Sequence, residues 1–259
     1  MSINWSILKQ KNRLLFEIPL KTRQGQRFQP TGFPNLGAAT FKTSRGEHLL
    51  VESTQSMANR LEMTIWDAKN SDVIPQVLGI SHVRVMRHGR FFTDSMIEAH
   101  RLNSPYILEG SDKTLENAIQ KEMNTEDGGM VDRKKFAEVL LKYDIGSLLH
   151  GVFIAKTLAG GRLRIARAIS AFIEADGVRV APSGGVKIDA VNPSGDATKG
   201  FGNVPFSRDE YTAERIILYV NIDLAQMRGY GLGDAVYQLL VLLSLYKLRR
   251  LVDSDLRLR

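Results

Sequence analysis

The run from Leu49 to Glu62 constrains the fold most, because it predicts a buried strand that passes directly into a helix. Residues 49–51 are apolar, and Ser53, Thr54 and Ser56 follow, each of which is a good helix cap. Apolar residues then recur at helical spacing. The chain must therefore combine strands with helices.

The first turn of this predicted helix is rich in uncharged hydrogen-bonding groups. It carries Gln55, Ser56 and Asn59, with Arg60 beside them. A helix N-terminus presents free N–H groups and the positive end of the helix dipole, so a phosphate or another anion would be stable there. A well-capped core helix explains the same residues, and composition alone favours that simpler interpretation.

Composition excludes several classes of site. The 259 residues include no cysteine, which removes disulfide scaffolds, thiolate metal sites and cysteine nucleophiles. The five histidines form no metal-binding pair at close spacing, so we expect neither a metal nor a cofactor. No secretory signal is recognisable, and the longest apolar stretch, 239–245, is too short to span a bilayer. We expect a cytoplasmic protein that is not inserted in a membrane.

Positive charge is concentrated in particular segments. The net charge is +7, and residues 1–46 carry eight Lys or Arg against one acid. Residues 109–132 instead carry seven acids against two lysines. Such asymmetry predicts a basic working face, for which a nucleic acid is the natural partner and an anionic membrane the weaker alternative.

Aromatic and cationic side chains alternate in the N-terminal third. A strand is predicted at 14–20, followed by an irregular loop over 21–41 that contains Arg27 and Phe28, with Lys42 just beyond it. This mixture suits base stacking and phosphate contact, although Phe28 could equally anchor the loop to the core.

A basic hairpin is predicted next, with strands at 80–86 and 90–93 joined through Arg87 and the following His-Gly pair. It is either a solvated turn or a finger laid over a nucleic-acid strand. A short helix capped by Ser95 should follow and include Arg101. Glu98 and His100 lie there too, but positions i and i+2 face different sides of a helix, so we expect no acid–base pair.

Helices predicted at 110–124 and 131–143 complete an inserted helical region at about 95–143. Ser111 or Asp112 would cap the first helix and Asp132 the second, with an Asp-Gly-Gly turn at 127–129 between them.

Gly-rich and cationic segments alternate after residue 143. A strand is predicted over 145–156, with His150 inside it, and a turn at 160–161. Arg162, Arg164 and Arg167 then lie close together in the sequence. On a strand Arg162 and Arg164 would share a face, whereas on a helix Arg164 and Arg167 would. A Gly-rich turn at 182–187 ends in Lys187. These cations form either a solvated sheet edge or a phosphate-binding surface, and the neighbouring Gly pairs favour binding.

The chain ends with a strand predicted at 210–224, a Gly-rich segment and a long helix at 234–251. The segment lacks the spacing of a dinucleotide-binding loop. The mixed order of strands and helices predicts an α+β protein with an antiparallel sheet, and a ferredoxin-like or RRM-like core with large insertions fits it.

Seven motifs resemble the backbone subunit of type I-U (I-G) CRISPR effector complexes, a family of the RAMP superfamily. They are RFQPTGFPNLGAATF (27–41), LLVESTQSMANRLE (49–62), EAHRLNSPYI (98–107), LLHGVF (148–153), GRLRIARAISAFIEA (161–175), SGGVKID (183–189) and LYKLRRLVDSDLRLR (245–259).

The resemblance implies a single elaborated domain over 1–259, with an RRM-like palm and inserted helices and hairpins forming thumb and finger elements. It implies that several copies stack along a CRISPR RNA, which then pairs with a target DNA strand. Further partners would be other Cascade subunits, namely a small subunit and one that processes and caps the RNA, and a recruited helicase–nuclease. Catalysis would lie in those partners, so this chain is expected not to be an enzyme.

Two alternatives stay open. Backbone subunits of the related type III complexes cut RNA through an aspartate on a loop, but no residue among Asp94, Asp189 and Asp196 can be matched to that loop. The second alternative is a metabolic enzyme that binds a nucleotide through the Gly-rich loops.

The RNA-binding role needs phosphate contacts for affinity while the bases stay free to pair. The helix start would meet sugar or phosphate, the later cations would follow the RNA backbone, and Phe28 or the 87–90 hairpin would wedge between nucleotides. The predicted RNA-binding residues are Arg27, Phe28, Lys42, Gln55, Ser56, Asn59, Arg60, Arg87, Arg101, His150, Arg162, Arg164, Arg167 and Lys187.

Overall fold

The computed structural model describes residues 3–33, 37–123, 132–155, 162–254, 256 and 258. The α-helices in this part of the chain are α1 (Trp5–Gln10), α2 (Thr54–Met63), α3 (Thr114–Met123), α4 (Arg133–Tyr143), α5 (Ile145–His150), α6 (Leu224–Gly229) and α7 (Asp234–Asp253). The strands are β1 (Arg13–Leu20), β2 (Gly32–Phe33), β3 (Gly37–Thr43), β4 (Gly46–Glu52), β5 (Trp66–Asp67), β6 (Asp72–Val73), β7 (Arg84–Arg87), β8 (Arg90–Asp94), β9 (Val152–Ile154), β10 (Leu163–Ile165), β11 (Ile169–Asp176), β12 (Arg179–Lys187), β13 (Val204–Thr212) and β14 (Arg215–Asp223).

A six-stranded sheet runs through the described residues in the order β1-β14-β11-β4-β3-β2. The pairs β11–β4, β3–β4 and β2–β3 are antiparallel. Alternate residues of β11 are buried from Ile169 to Ala175, which is the period of two expected of a strand with one face on a core. The predicted α+β class with a large antiparallel sheet is therefore observed.

The chain divides into two compact units, each built from separate segments. Unit 1 comprises 1–16, 54–171 and 220–256, and unit 2 comprises 17–53, 172–219 and 257–259. The strands β1, β11 and β14 each contribute residues to both units. The prediction of one elaborated domain stays a prediction.

Unit 1 has a helical core. The apolar stripe of α2, which includes Met57 and Leu61, is buried, and α2 contacts α7. In α7 the buried stripe recurs every three to four residues, as at Leu240, Ser244, Leu248 and Leu251, so this long helix is fixed by one buried, mainly apolar face. No helix in the described part of the chain is long and apolar enough to cross a membrane.

Unit 2 is built mainly of strand pairs. The strands β12 and β13 pair along their full length, from Arg179 opposite Thr212 to Lys187 opposite Val204. In the loop that joins them, the Asp189 carboxylate accepts hydrogen bonds from the backbone N–H groups of Val191, Asn192 and Gly202. These bonds lower the pKa of Asp189, and they hold the loop closed.

Several sequence predictions of local structure are confirmed. The segment from Leu49 to Glu62 is a strand followed by a helix, the basic hairpin is β7–β8, and the long C-terminal helix is α7. The helices predicted at 110–124 and 131–143 are α3 and α4. Asp132 caps α4 by accepting hydrogen bonds from the backbone N–H groups of Lys134 and Lys135. The turns predicted at 127–129 and 160–161 lie outside the described residues.

Two predictions around residues 95 and 145 were wrong. No α-helix begins at Ser95, because its hydroxyl accepts a hydrogen bond from the Val83 N–H instead of capping a helix. The chain forms turns there and a 3-10 helix over Arg101–Asn103. The predicted strand at 145–156 is helical in its first half. Asp144 caps α5 through the Gly146 N–H, and only β9 is extended.

Three further predictions of strands and loops were wrong. The loop predicted over 21–41 contains β2 and the start of β3. The predicted Gly-rich turn at 182–187 lies within β12, where Gly184 lets the facing backbone approach, since a Cβ there would lie 2.7 Å from the Phe206 carbonyl oxygen. The single strand predicted at 210–224 is two strands, β13 and β14.

Candidate nucleic-acid interface

The first two turns of α2 expose the polar side chains that the sequence singled out. Gln55 and Asn59 are exposed one helical turn apart, and the Gln55 amide donates to the Asn59 carbonyl oxygen (3.2 Å). Ser56 and Arg60 are half-buried beside them. The polar side of α2 faces outward because its apolar stripe, with Met57 and Leu61, packs in the core of unit 1.

A hydrogen bond joins this turn to the cationic segment around β10. The Arg167 guanidinium donates from Nη2 to the side-chain oxygen of Gln55. Arg164 lies exposed in β10, and Arg162 is exposed just before it, so both can point to the same side of an extended chain. The residues Gln55, Asn59, Arg162, Arg164 and Arg167 are referred to below as the α2–β10 surface.

The electrostatics of the α2–β10 surface favour an anion. Partial burial lowers the pKa of Arg167, and the positive charges of Arg101 and Arg164 lower it further, against the opposing effect of Glu62. The Nε group of Arg167 is buried and has no hydrogen-bond partner among the described residues. Cations that repel one another in this way are stabilised by a negative ligand.

Arg101, predicted to bind RNA, is buried beneath this surface. Its side chain forms an ion pair with Glu62, with Nε and Nη2 at 2.7 and 2.6 Å from the carboxylate, and Nη1 donates to the Gly151 carbonyl (3.0 Å). Burial raises the pKa of Glu62, and the Arg101 charge opposes that shift. Since only 6% of Arg101 is exposed, the binding surface does not include it.

His150 is likewise buried. Lys247 of α7 donates from Nζ to Nε2 of His150 (2.8 Å), and both residues are at most 1% exposed. Burial lowers the pKa of Lys247 to about 8. Burial and the neighbouring positive charges hold the pKa of His150 well below its usual value, so the imidazole is neutral and can accept this bond. His150 therefore supports the core and offers no surface contact.

Lys247 was missed by sequence reasoning. The signal was available, because in α7 it shares the helical face of Leu240, Ser244 and Leu251, all of which are buried. A lysine on the apolar stripe of a helix needs a buried acceptor, but which residue provides it could not be read from the sequence.

The predicted RNA-binding residues of unit 2 lie in a loop segment and on two strands. Arg27 is exposed, and its Nη1 lies 3.6 Å from the Glu210 carboxylate. Phe28 is half-buried, and its backbone pairs with Tyr211. Two exposed lysines complete the set, Lys42 in β3 and Lys187 at the end of β12. Among the described residues of unit 2, no hydrogen bond, ion pair or ring contact joins these four side chains to one another.

Hydrogen bonds account for Glu98, whose pairing with His100 the sequence already argued against, and for a second acid near it, Asp94. The Glu98 carboxylate accepts from the hydroxyls of Thr93 and Ser104, while His100 is exposed. His82 is bonded to Asp94 (2.7 Å), and this bond raises the pKa of His82. The described residues contain no group of three or more His, Asp or Glu side chains that could hold a metal ion.

The fold and the site define an α+β protein with a polar, cationic surface suited to a polyanion. Residues 14–180 match the model of the family described as CRISPR-associated protein GSU0053, a match over more than half of the chain. The chain therefore belongs to this family of CRISPR-associated proteins.

Comparison with other proteins adds little beyond this match. No curated protein matches the sequence. One similar solved structure is a chain described as "CRISPR RNA-guided surveillance complex, pre-nicking", with 14% identity and a TM-score of 0.47 over 91% of this chain and 70% of that chain. A likeness of this size carries no conclusion about function.

Proposed function

We propose that this protein is the CRISPR RNA-binding backbone subunit of a type I-U (I-G) surveillance complex. Several copies would line up along one guide RNA and hold it for pairing with a target DNA strand. The six-stranded sheet would be the RRM-like palm of each copy. Cutting of nucleic acid would belong to partner subunits and to a recruited helicase–nuclease, and the whole complex would act in the cytoplasm.

Membership of a family of CRISPR-associated proteins supports this proposal, because it agrees with the resemblance of the sequence motifs to a CRISPR effector subunit. The net charge of +7 supports it further, since a protein that binds a polyanion without reading sequence needs excess Lys and Arg.

The observation that carries the proposal is the hydrogen bond between Gln55 and Arg167. It joins a helix start, which offers backbone and amide groups, to the segment around β10, where Arg162 and Arg164 are exposed. Neutral donors would fix the position of an RNA backbone and the arginines would supply affinity, so the bases remain free to pair.

Removal of two arginines tests the α2–β10 surface. We expect Arg164→Ala with Arg167→Ala to reduce the slope of log affinity against log salt by about 1.4, because each phosphate contact to a single strand contributes about 0.7. With equal binding of variant and wild type at about 1 M salt as the reference, the same relation predicts about 14-fold weaker RNA binding at about 0.15 M salt and only about threefold at about 0.5 M. Fluorescence anisotropy with labelled single-stranded RNA measures both values.

The matched control is Lys134→Ala with Lys135→Ala, which removes the same charge from α4, where both lysines are exposed and lie near Glu138. We expect the control to keep most of the wild-type slope. Equal losses in the two double variants would mean that only net charge matters, and the α2–β10 surface would then be rejected. Regular, metal-dependent cuts in RNA incubated with the protein would instead favour the ribonuclease alternative.

A further inference from the structure

The β7–β8 hairpin of unit 1 carries an exposed group of aromatic and cationic side chains. Phe92 is 40% exposed and Tyr106 is 54% exposed, and their rings meet edge to face with centroids 5.3 Å apart. The Arg87 guanidinium lies over the Phe92 ring, 5.5 Å from its centroid. Arg87, Phe92 and Tyr106 are referred to below as the aromatic platform.

A β-bulge sets the position of Phe92. In the hairpin register Val85 pairs with Thr93 and Met86 with Phe91, so Phe92 is the extra residue of β8. A bulge redirects a side chain and increases the local twist, and bulges are common beside functional sites. The bulge thus holds a large apolar ring at the protein surface. Packing into the core does not explain this position.

The other side of the hairpin is firmly anchored. Phe91 packs against Trp66, with ring centroids 6.1 Å apart, and Arg84 forms an ion pair with Asp72 (2.9 Å). The buried Asp94 carboxylate is bonded to His82 (2.7 Å). A platform on such a base is held ready for a ligand, which lowers the entropy cost of binding.

The charge of the hairpin tip selects the ligand. Arg87, His88 and Arg90 are all exposed there, beside the aromatic rings. Flat aromatic faces next to guanidinium groups fit an unpaired nucleobase, whose phosphates the cations would hold. Bases inside a duplex are already stacked on one another, so a duplex could not use the platform.

We infer that the aromatic platform stacks an unpaired base of single-stranded nucleic acid, at a site separate from the α2–β10 surface. Tyr106, with more than half of its area exposed, offers the free ring face. The sequence suggested only that the 87–90 hairpin wedges between nucleotides. The inference goes beyond this and beyond the proposed grip on guide phosphates, because it assigns the stacking of a base to two particular rings. Phe92 and Tyr106 were not among the residues that the sequence singled out.

Paired probes with and without bases test the inference. Wild-type protein is titrated with oligothymidine DNA and with an abasic strand of the same length. We expect it to bind the oligothymidine at least about fivefold more tightly than the abasic strand. Phe92→Ala with Tyr106→Ala should bind both strands equally. Arg164→Ala with Arg167→Ala should weaken binding of both strands and keep the preference. An oligouridine RNA probe shows whether the platform accepts RNA as well as DNA.

Two controls keep the result clear. Phe201→Ala removes an exposed aromatic ring of unit 2 (60% exposed) and should leave the preference unchanged. Tyr106→Phe keeps the ring and should retain it. A wild-type protein without preference, or a Phe92/Tyr106 double variant that keeps it, would overturn the platform while binding of the abasic strand still measures the phosphate grip. Failure of the wild type to bind any strand would overturn both proposals.

Discussion

The free energy of unfolding should increase as pH rises through the alkaline range, because Lys247 is buried beside His150. The pKa of Lys247 is about 8 in the folded protein, against 10.5 as the ordinary value. Between these values the unfolded chain binds more protons than the folded one, so the free energy of unfolding increases as pH rises. The full effect is about 3 kcal/mol, and the part between about pH 8 and about pH 9.5 is about 1.5 kcal/mol.

Urea unfolding followed by circular dichroism measures this change, with Lys247→Met as the comparison. Met keeps the length and apolar stem of the side chain but has no proton to lose, so the variant should show a much smaller rise. Measurements stay below pH 10 because burial raises the pKa of Tyr230 to about 12, which makes stability fall with pH above the ordinary tyrosine value of 10. A wild-type protein that loses stability over this range, or a variant with an equal rise, would refute the argument.

Two further predictions concern the support of the α2–β10 surface. Arg101→Met leaves the Glu62 carboxylate buried without its partner and should lower the free energy of unfolding by about 3–5 kcal/mol, whereas Arg249→Met, at an exposed pair with Asp253, should change it by less than about 0.5 kcal/mol. Equal effects in urea unfolding would contradict this. Gly151→Ala should cost at least about 1–3 kcal/mol, because Gly151 has a φ of 79° and a Cβ there would lie 2.8 Å from the Ile165 carbonyl oxygen. Gly229→Ala, in open space, is its control and should be nearly neutral.

Local patterns predicted the elements whose cause is local. The helix α7 carries one long apolar face, α4 begins at a capping aspartate, and the β7–β8 hairpin turns at a glycine, so each could be predicted from neighbouring residues. The short apolar run at 145–150 could not be, because a few apolar residues fit a strand or a buried helix equally well. In that case the Asp144 cap decided for the helix.

The site could likewise be predicted only where local residue type and spacing determine it. Exposure of Gln55 and Arg164 follows from residue type and spacing, and both are at the surface. Burial of Arg101 and His150 depends on Glu62 and Lys247, which lie 39 and 97 residues away in the chain. A single sequence does not reveal such distant pairs, so polar residues of core and surface looked alike.

The central claim is that copies of this chain line up along a guide RNA. Native mass spectrometry of the purified protein mixed with guide RNAs of increasing length tests it most directly. We predict complexes whose number of protein copies rises in proportion to RNA length, each copy covering a constant number of nucleotides. A protein that stays RNA-free, or binds in a fixed number whatever the RNA length, would contradict the claim.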